Sequence, residues 1–227
     1  MHTIFNLDNP VWKFIGNLAD FFILSILTFI CSIPIVTAGA AFTSLSYVTL
    51  KMASGQEGKL FQQYFKCFRL NFKQATLIWL GFLGVGIVLC IDLYYGMNAG
   101  TNAASAMLIT SIVCIVLWLC VFFMAFTLLA RIDNTTSAIV KMAGAMAIRN
   151  FLPVISTVVV MVAFILVGLF IFWPILLVTP GLPAYINAFI FNRILTKYGF
   201  NLRDDDGYEW KLKEEETEKN EESEIRG

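Results

Sequence analysis

A chain of 227 residues could by length alone form one or two soluble domains. Composition excludes that: 58% of the residues are hydrophobic, only 14% are charged, and the mean hydropathy is +0.75, as expected of a polytopic membrane protein. The net charge of +0 hides two opposed parts, since residues 1–203 carry twelve Lys or Arg against five acids (a net of +7) and residues 204–227 carry eleven acids against four bases (a net of −7).

Long apolar runs without strand-like alternation predict an all-α fold. The expectation is a polytopic membrane helical bundle of about six transmembrane helices, with two short-armed Pro/Gly hairpins and a cytoplasmic amphipathic helix. Residues 1–200 form the transmembrane domain and 201–227 an acidic, disordered cytoplasmic tail.

In chain order, Trp12 and Lys13 suit a membrane interface, and a first helix is predicted from about Phe14 to Ile33. Ala38-Gly39-Ala40 resembles a signal cleavage site, but the apolar run is too long for a signal and continues past it, so no cleavage is expected. Asp20 is read as a carboxylate near the cytoplasmic rim. Pro34 removes a backbone donor and disfavours helix at Ile33, and Gly39 follows five residues later. This marks a tight uncharged turn, Pro34–Gly39, near the outer surface, before a short second helix from about Ala40 to Leu50. Lys51 then snorkels to the surface. The second helix is rich in Ala, Ser and Thr, which let backbones approach closely in lipid, so it is expected to face protein.

In Lys59–Gln74, Phe61, Phe65, Phe68 and Phe72 recur along one helical stripe, while Lys59, Lys66, Arg69 and Lys73 occupy another. That pattern predicts an amphipathic helix in the membrane interface, serving as a lipid or partner contact. A third span follows from about Ala75 to Tyr95, a fourth from Ala106 to Ala130, a second amphipathic piece over Asn134–Arg149, and a fifth span from Phe151 to Trp173. Thr179, Pro180 and Gly181 then align with Thr37, Ala38 and Gly39 at an offset of 142 residues, which also sets Lys51 on Arg193. A short sixth helix is predicted from about Ala184 to Leu195.

The turns near 34–39, 96–105 and 174–183 contain no Lys or Arg, whereas the opposite connections carry the bases. With six crossings, the positive-inside rule puts both termini in the cytoplasm.

There is no Gly-rich phosphate loop, H-E-x-x-H or G-x-S-x-G, and no C-x-x-C pair among the five cysteines. The expectation is a non-enzyme without cofactor or metal, and without a nucleic-acid partner. Pro34, Thr37, Gly39, Thr179, Pro180 and Gly181 are candidate turn or ligand positions, because Pro/Gly-interrupted short segments at corresponding places in two halves can mark a transport site.

Trp12-Lys-Phe, Cys31-Ser-Ile-Pro-Ile-Val-Thr-Ala-Gly-Ala-Ala with Tyr47-Val-Thr-Leu-Lys51, and Phe65-Lys-Cys-Phe-Arg-Leu-Asn-Phe-Lys-Gln-Ala75 together resemble the YesL-like bacterial membrane proteins. The resemblance covers about residues 5–200. It implies an integral protein of a Gram-positive-type plasma membrane, of unassigned biochemistry and often encoded beside carbohydrate ABC importers. An accessory or regulatory role in sugar uptake follows from that association, with subunits of such an importer as partners. A small independent transporter or channel is the alternative, and a membrane-embedded enzyme a more distant one. The importer's own permease is rejected. Ala145–Pro153 ends like a permease coupling loop but lacks its Glu-Ala-Ala start.

Overall fold

The structure, a computed structural model, describes residues 10–55, 59–98, 102–170 and 179–199. The acidic tail, Trp173, and the side chains of Trp12 and Lys13 lie outside the described residues. Among the described residues there are seven α-helices: α1 Pro10–Ser32, α2 Ala38–Ala53, α3 Leu60–Asn98, α4 Asn102–Leu129, α5 Thr136–Arg149, α6 Phe151–Phe170 and α7 Gly181–Lys197. A 3-10 turn, Ile35–Thr37, joins α1 to α2. The all-α bundle read from composition is therefore the fold. Three helices, α3, α4 and α6, are long and apolar enough to cross a membrane.

Most boundaries shift for local reasons. Helix α1 begins at Pro10, a residue tolerated in a first turn because its missing N–H has no intrahelical role there. Helix α7 starts three residues earlier than predicted, since Pro183 falls in its first turn and does not break it.

The largest difference concerns α3. The predicted interfacial helix Lys59–Gln74 and the predicted span Ala75–Tyr95 are one helix of 39 residues, about 58 Å long at ~1.5 Å per residue. No Gly or Pro lies between Lys59 and Ile78 to bend it. The basic half is thus a continuation of the apolar half and not a separate element lying flat. Its inward stripe is also different from the Phe stripe: Tyr64, Cys67, Asn71, Ala75 and Ile78 are buried, while Phe61 and Phe65 are exposed and Phe68 and Phe72 half-buried.

Helix α2 is the hub. It packs against α1, α3, α4 and α7, and it is buried almost from end to end, from Ala38 through Lys51. The sequence reading that it faces protein holds, and its small residues are the reason. Ala40, Ala41, Thr43 and Ser44 allow neighbouring helices close. Thr43 and Ser44 turn their hydroxyls back onto Gly39 O and Ala40 O at 2.9 and 2.8 Å, so neither of these two is left bare. Lys51 does not snorkel. It is 6% exposed, with its ammonium 5.2 Å from the centre of the Tyr47 ring.

Beyond the bundle, α3 and α4 continue as a paired hairpin. Gly96 lies against Leu108, Asp92 beside Ser111, and Gly86 against Trp118, a steady antiparallel register.

Candidate functional site

The glycines of the two Pro/Gly turns, Gly39 and Gly181, pack on different helices. At Pro34–Gly39, the Thr37 hydroxyl donates to Cys31 O and to Pro34 O (2.8 Å), closing the end of α1. Two residues on, a Cβ on Gly39 would stand 2.5 Å from Ala75 O and 2.6 Å from Trp79 Cβ. Only glycine permits that approach of α2 to α3. At the corresponding place, a Cβ on Gly181 would stand 2.5 Å from Phe21 O and 2.7 Å from Ser25 Oγ, here on α1. The Gly181 N–H donates to Ser25 Oγ at 2.9 Å, so a serine on another helix supplies the first-turn acceptor of α7. Thr179 and Pro180 are buried beside it. The offset of 142 residues thus has a structural counterpart: each glycine is a helix-crossing point at the start of a short arm. Gly39 faces α3 and Gly181 faces α1, so the two turns do not line one common site.

The Pro34–Gly39 turn also does not reach the far end of the spans, as the sequence had suggested. It meets α3 at Ala75–Trp79, and Thr76 Oγ1 donates to Val36 O at 3.3 Å. Helix α3 runs on for 19 residues past Trp79, about 28 Å.

From that level onward an aromatic cluster ties three helices together. Phe42 of α2, Trp79 and Phe82 of α3, and Trp118, Phe122 and Phe126 of α4 have ring centres 4.8–6.5 Å apart. Above it opens an apolar groove of about 720 Å³ along the α3–α4 seam, lined by Trp79, Gly86, Cys90, Tyr94, Tyr95 and Trp118 among others. Asp92 lies beside this seam and accepts a hydrogen bond from Ser111 of α4, whose hydroxyl also faces Met107 O at 2.9 Å.

At the opposite end, Asn192 of α7 joins three elements. Its Oδ1 accepts from Arg131, just past α4, while its Nδ2 is 3.1 Å from Leu50 O and 3.0 Å from Ser54 Oγ of the α2 end. Gln74 Nε2 donates to Asn134 O at 2.6 Å, tying α3 to the α4–α5 connection. Asn192, Ser25 and Trp79 were not singled out by sequence reasoning. The signal for Ser25 and Asn192 was weak, a lone polar residue in an apolar helix, and for Trp79 there was none beyond its being large.

Of the Phe and basic residues expected at an interface, Phe61, Phe65, Arg69 and Lys73 are exposed, and Lys66, Phe68 and Phe72 are half-buried. Phe68 packs on Phe72 and stacks on Tyr64, so these two rings belong to the side of the packed stripe.

These features define a helical membrane protein organised around α2 and two glycine crossings. The family model "Protein of unknown function, DUF624" matches residues 20–93, the stretch from Asp20 through the first hairpin to the Asp92–Leu93 end of α3. The chain is similar to that family over this third of its length, which contains the Gly39 crossing. No curated protein and no solved structure matches the chain.

Proposed function

We propose that this protein is a non-catalytic accessory or regulatory subunit of carbohydrate uptake, docking on a sugar ABC importer through the basic half of α3. The observation that carries the docking surface is the exposure of Phe61 and Phe65, at 54% and 42%, on a helix whose other side is held by Tyr64, Cys67 and Asn71. Lys59, Arg69 and Lys73 flank them, also exposed. Large aromatics framed by bases, on a helix continuous with a membrane span, make a rigid contact surface that a partner can desolvate. The choice of a sugar importer rests on the resemblance to the YesL-like proteins. Both termini are assigned to the cytoplasm, from the partition of bases between the two sides of the bundle.

The test is purification from native membranes in mild detergent, with a photo-crosslinking residue at position 61 or 65. Importer subunits are expected in the crosslinked product, and their yield is expected to fall when Phe61→Ser and Phe65→Ser are combined. Recovery without any importer subunit across several detergents would overturn the assignment.

A further inference from the structure

From the position of the first hairpin on α3, we infer that α1 and α2 form a re-entrant hairpin. It enters and leaves by the face that carries the bases, and its tip, Ile33–Val36, is bathed by lipid acyl chains inside the bilayer.

Depth along α3 sets the argument. The last cation before its apolar stretch is Lys73 and the next charge is Asp92, 19 residues on. That interval is about 28 Å, close to the ~30 Å hydrocarbon thickness of a bilayer. The tip meets α3 at Ala75–Trp79. Trp79 is six residues past Lys73, so the tip lies about 9 Å inside the stretch and about 20 Å short of Asp92. A hairpin that crossed fully would meet α3 near Tyr94 instead.

The surface of the tip agrees. Ile33, Ile35 and Val36 are 76%, 66% and 50% exposed, an aliphatic cap with no charged residue from Asp20 to Lys51. Facing water, such a cap is unfavourable; facing hydrocarbon, it is the expected composition. Backbone at that depth must be satisfied internally, and much of it is. Pro34 has no N–H, Thr37 N donates to Pro34 O (2.9 Å), the Thr37 hydroxyl covers Cys31 O and Pro34 O, and Thr76 covers Val36 O. These bonds give Thr37 and Thr76 a purpose that an outer loop in water would not require.

An independent contact puts the second short arm no higher. Gly181, where α7 begins, lies against Phe21 and Ser25 of α1, and Ser25 is seven residues, about 10 Å, back from the end of α1 at Ser32. Neither short helix therefore starts near the Asp92 end of α3. An uncharged turn is what the positive-inside pattern records for an outer loop, but a turn within the bilayer is uncharged for a different reason, the cost of burying ions in hydrocarbon.

Cysteine accessibility in native membranes tests this. Single replacements Ile35→Cys, Lys59→Cys and Asn98→Cys are made in the full-length chain, with the unsubstituted protein as the blank for its own five cysteines. Each is reacted with a membrane-impermeant maleimide in right-side-out and inside-out vesicles. Lys59→Cys is expected to label from the cytoplasmic side and Asn98→Cys from the outside. Ile35→Cys is expected to label from neither side, at a rate lower by about tenfold or more, because the reactive thiolate does not form in hydrocarbon. Labelling of Ile35→Cys from outside at the rate of Asn98→Cys would overturn the inference, as would labelling from the cytoplasmic side at the rate of Lys59→Cys. Should Ile35→Cys fail to accumulate, Val36→Cys carries the same expectation. A nitroxide at either position is expected to collide more with oxygen than with a water-soluble nickel chelate, and the reverse order would overturn the inference.

Discussion

Helix α2 and the upper half of α3 are both apolar, yet one is buried nearly throughout and the other is almost bare. The apolar window of α3 has a mean hydropathy of 2.2, and only 11% of it is buried inside the molecule. Leu80, Val85, Ile87, Val88 and Ile91 all point outward. In water this would be backwards. In a bilayer, lipid is as apolar as leucine, so hydropathy does not select the core. What selects it is how closely two backbones can approach and how many polar groups are covered. The residues of α2 are mostly small and hydroxylated, whereas the bare half of α3 interleaves its glycines with branched and bulky residues and carries few hydroxyls, so α2 is drawn into the bundle and α3 is left to the lipid. Hydropathy therefore marks the membrane, and small residues mark the centre.

Glycine substitutions are the strongest way to break this comparison. Gly39→Ala places a Cβ against Ala75 O and Trp79 Cβ, neither of which can swing aside. It is expected to cost about 3 kcal/mol or more, and Gly39→Leu to leave no folded protein. Gly84→Ala, on the bare half of α3 with nothing within 4 Å, is expected to be neutral or to stabilise by up to ~1 kcal/mol. Melting of the purified proteins in one detergent measures both. Equal melting temperatures for the two alanine variants would end the distinction between hub and periphery.

Gly181→Ala comes next, at about 1–3 kcal/mol. Phe21 O cannot yield, but the Ser25 hydroxyl can rotate away at the loss of its bond to Gly181 N. Adding Ser25→Ala is expected to recover part of the loss, and a cycle of the single and double variants reads the coupling.

Asn192→Leu separates Arg131 from the α2 end and is expected to cost about 1–3 kcal/mol, since it strips hydrogen bonds from half-buried Arg131 and buried Leu50. Thermal melting is again the measurement, with Asn187→Leu for comparison on the same helix.

The smallest effect is expected at the periphery. Asp92→Asn keeps a hydrogen-bonding group beside Ser111, and that hydroxyl retains Met107 O in any case. A change of about 0.6 kcal/mol is expected, in line with interhelical hydrogen bonds in lipid. A loss above ~2 kcal/mol would show that the α3–α4 seam is as critical as the hub.

Several elements were legible in the residues. The apolar runs, the breaks at Pro34 and Gly39, the second amphipathic piece and the protein-facing character of α2 all follow from local pattern, because period, turn chemistry and residue size act within a few residues of one another. The likeness of Thr179–Gly181 to Thr37–Gly39 was legible too, although not what each glycine touches. Two expectations failed for nonlocal reasons. Lys59–Gln74 was expected to be a separate interfacial helix, yet it is continuous with α3, and its Tyr64, Cys67 and Asn71 turn inward because α1 and α2 lie on that side. Lys51 looked like a snorkelling cation, yet the packing around α2 leaves it enclosed over Tyr47.

The amino-acid sequence by itself determined that this is an all-helical membrane protein, where its helices break and which of its connections carry the bases. Those properties are set by hydropathy, by proline and glycine, and by charge counted along the chain. Only the tertiary structure decided that α3 is a single rod, that Gly39 and Gly181 are crossing points on different helices, and how far up α3 the first hairpin reaches. Depth and contact depend on which backbones approach one another, and that is a property of pairs of segments far apart in the chain.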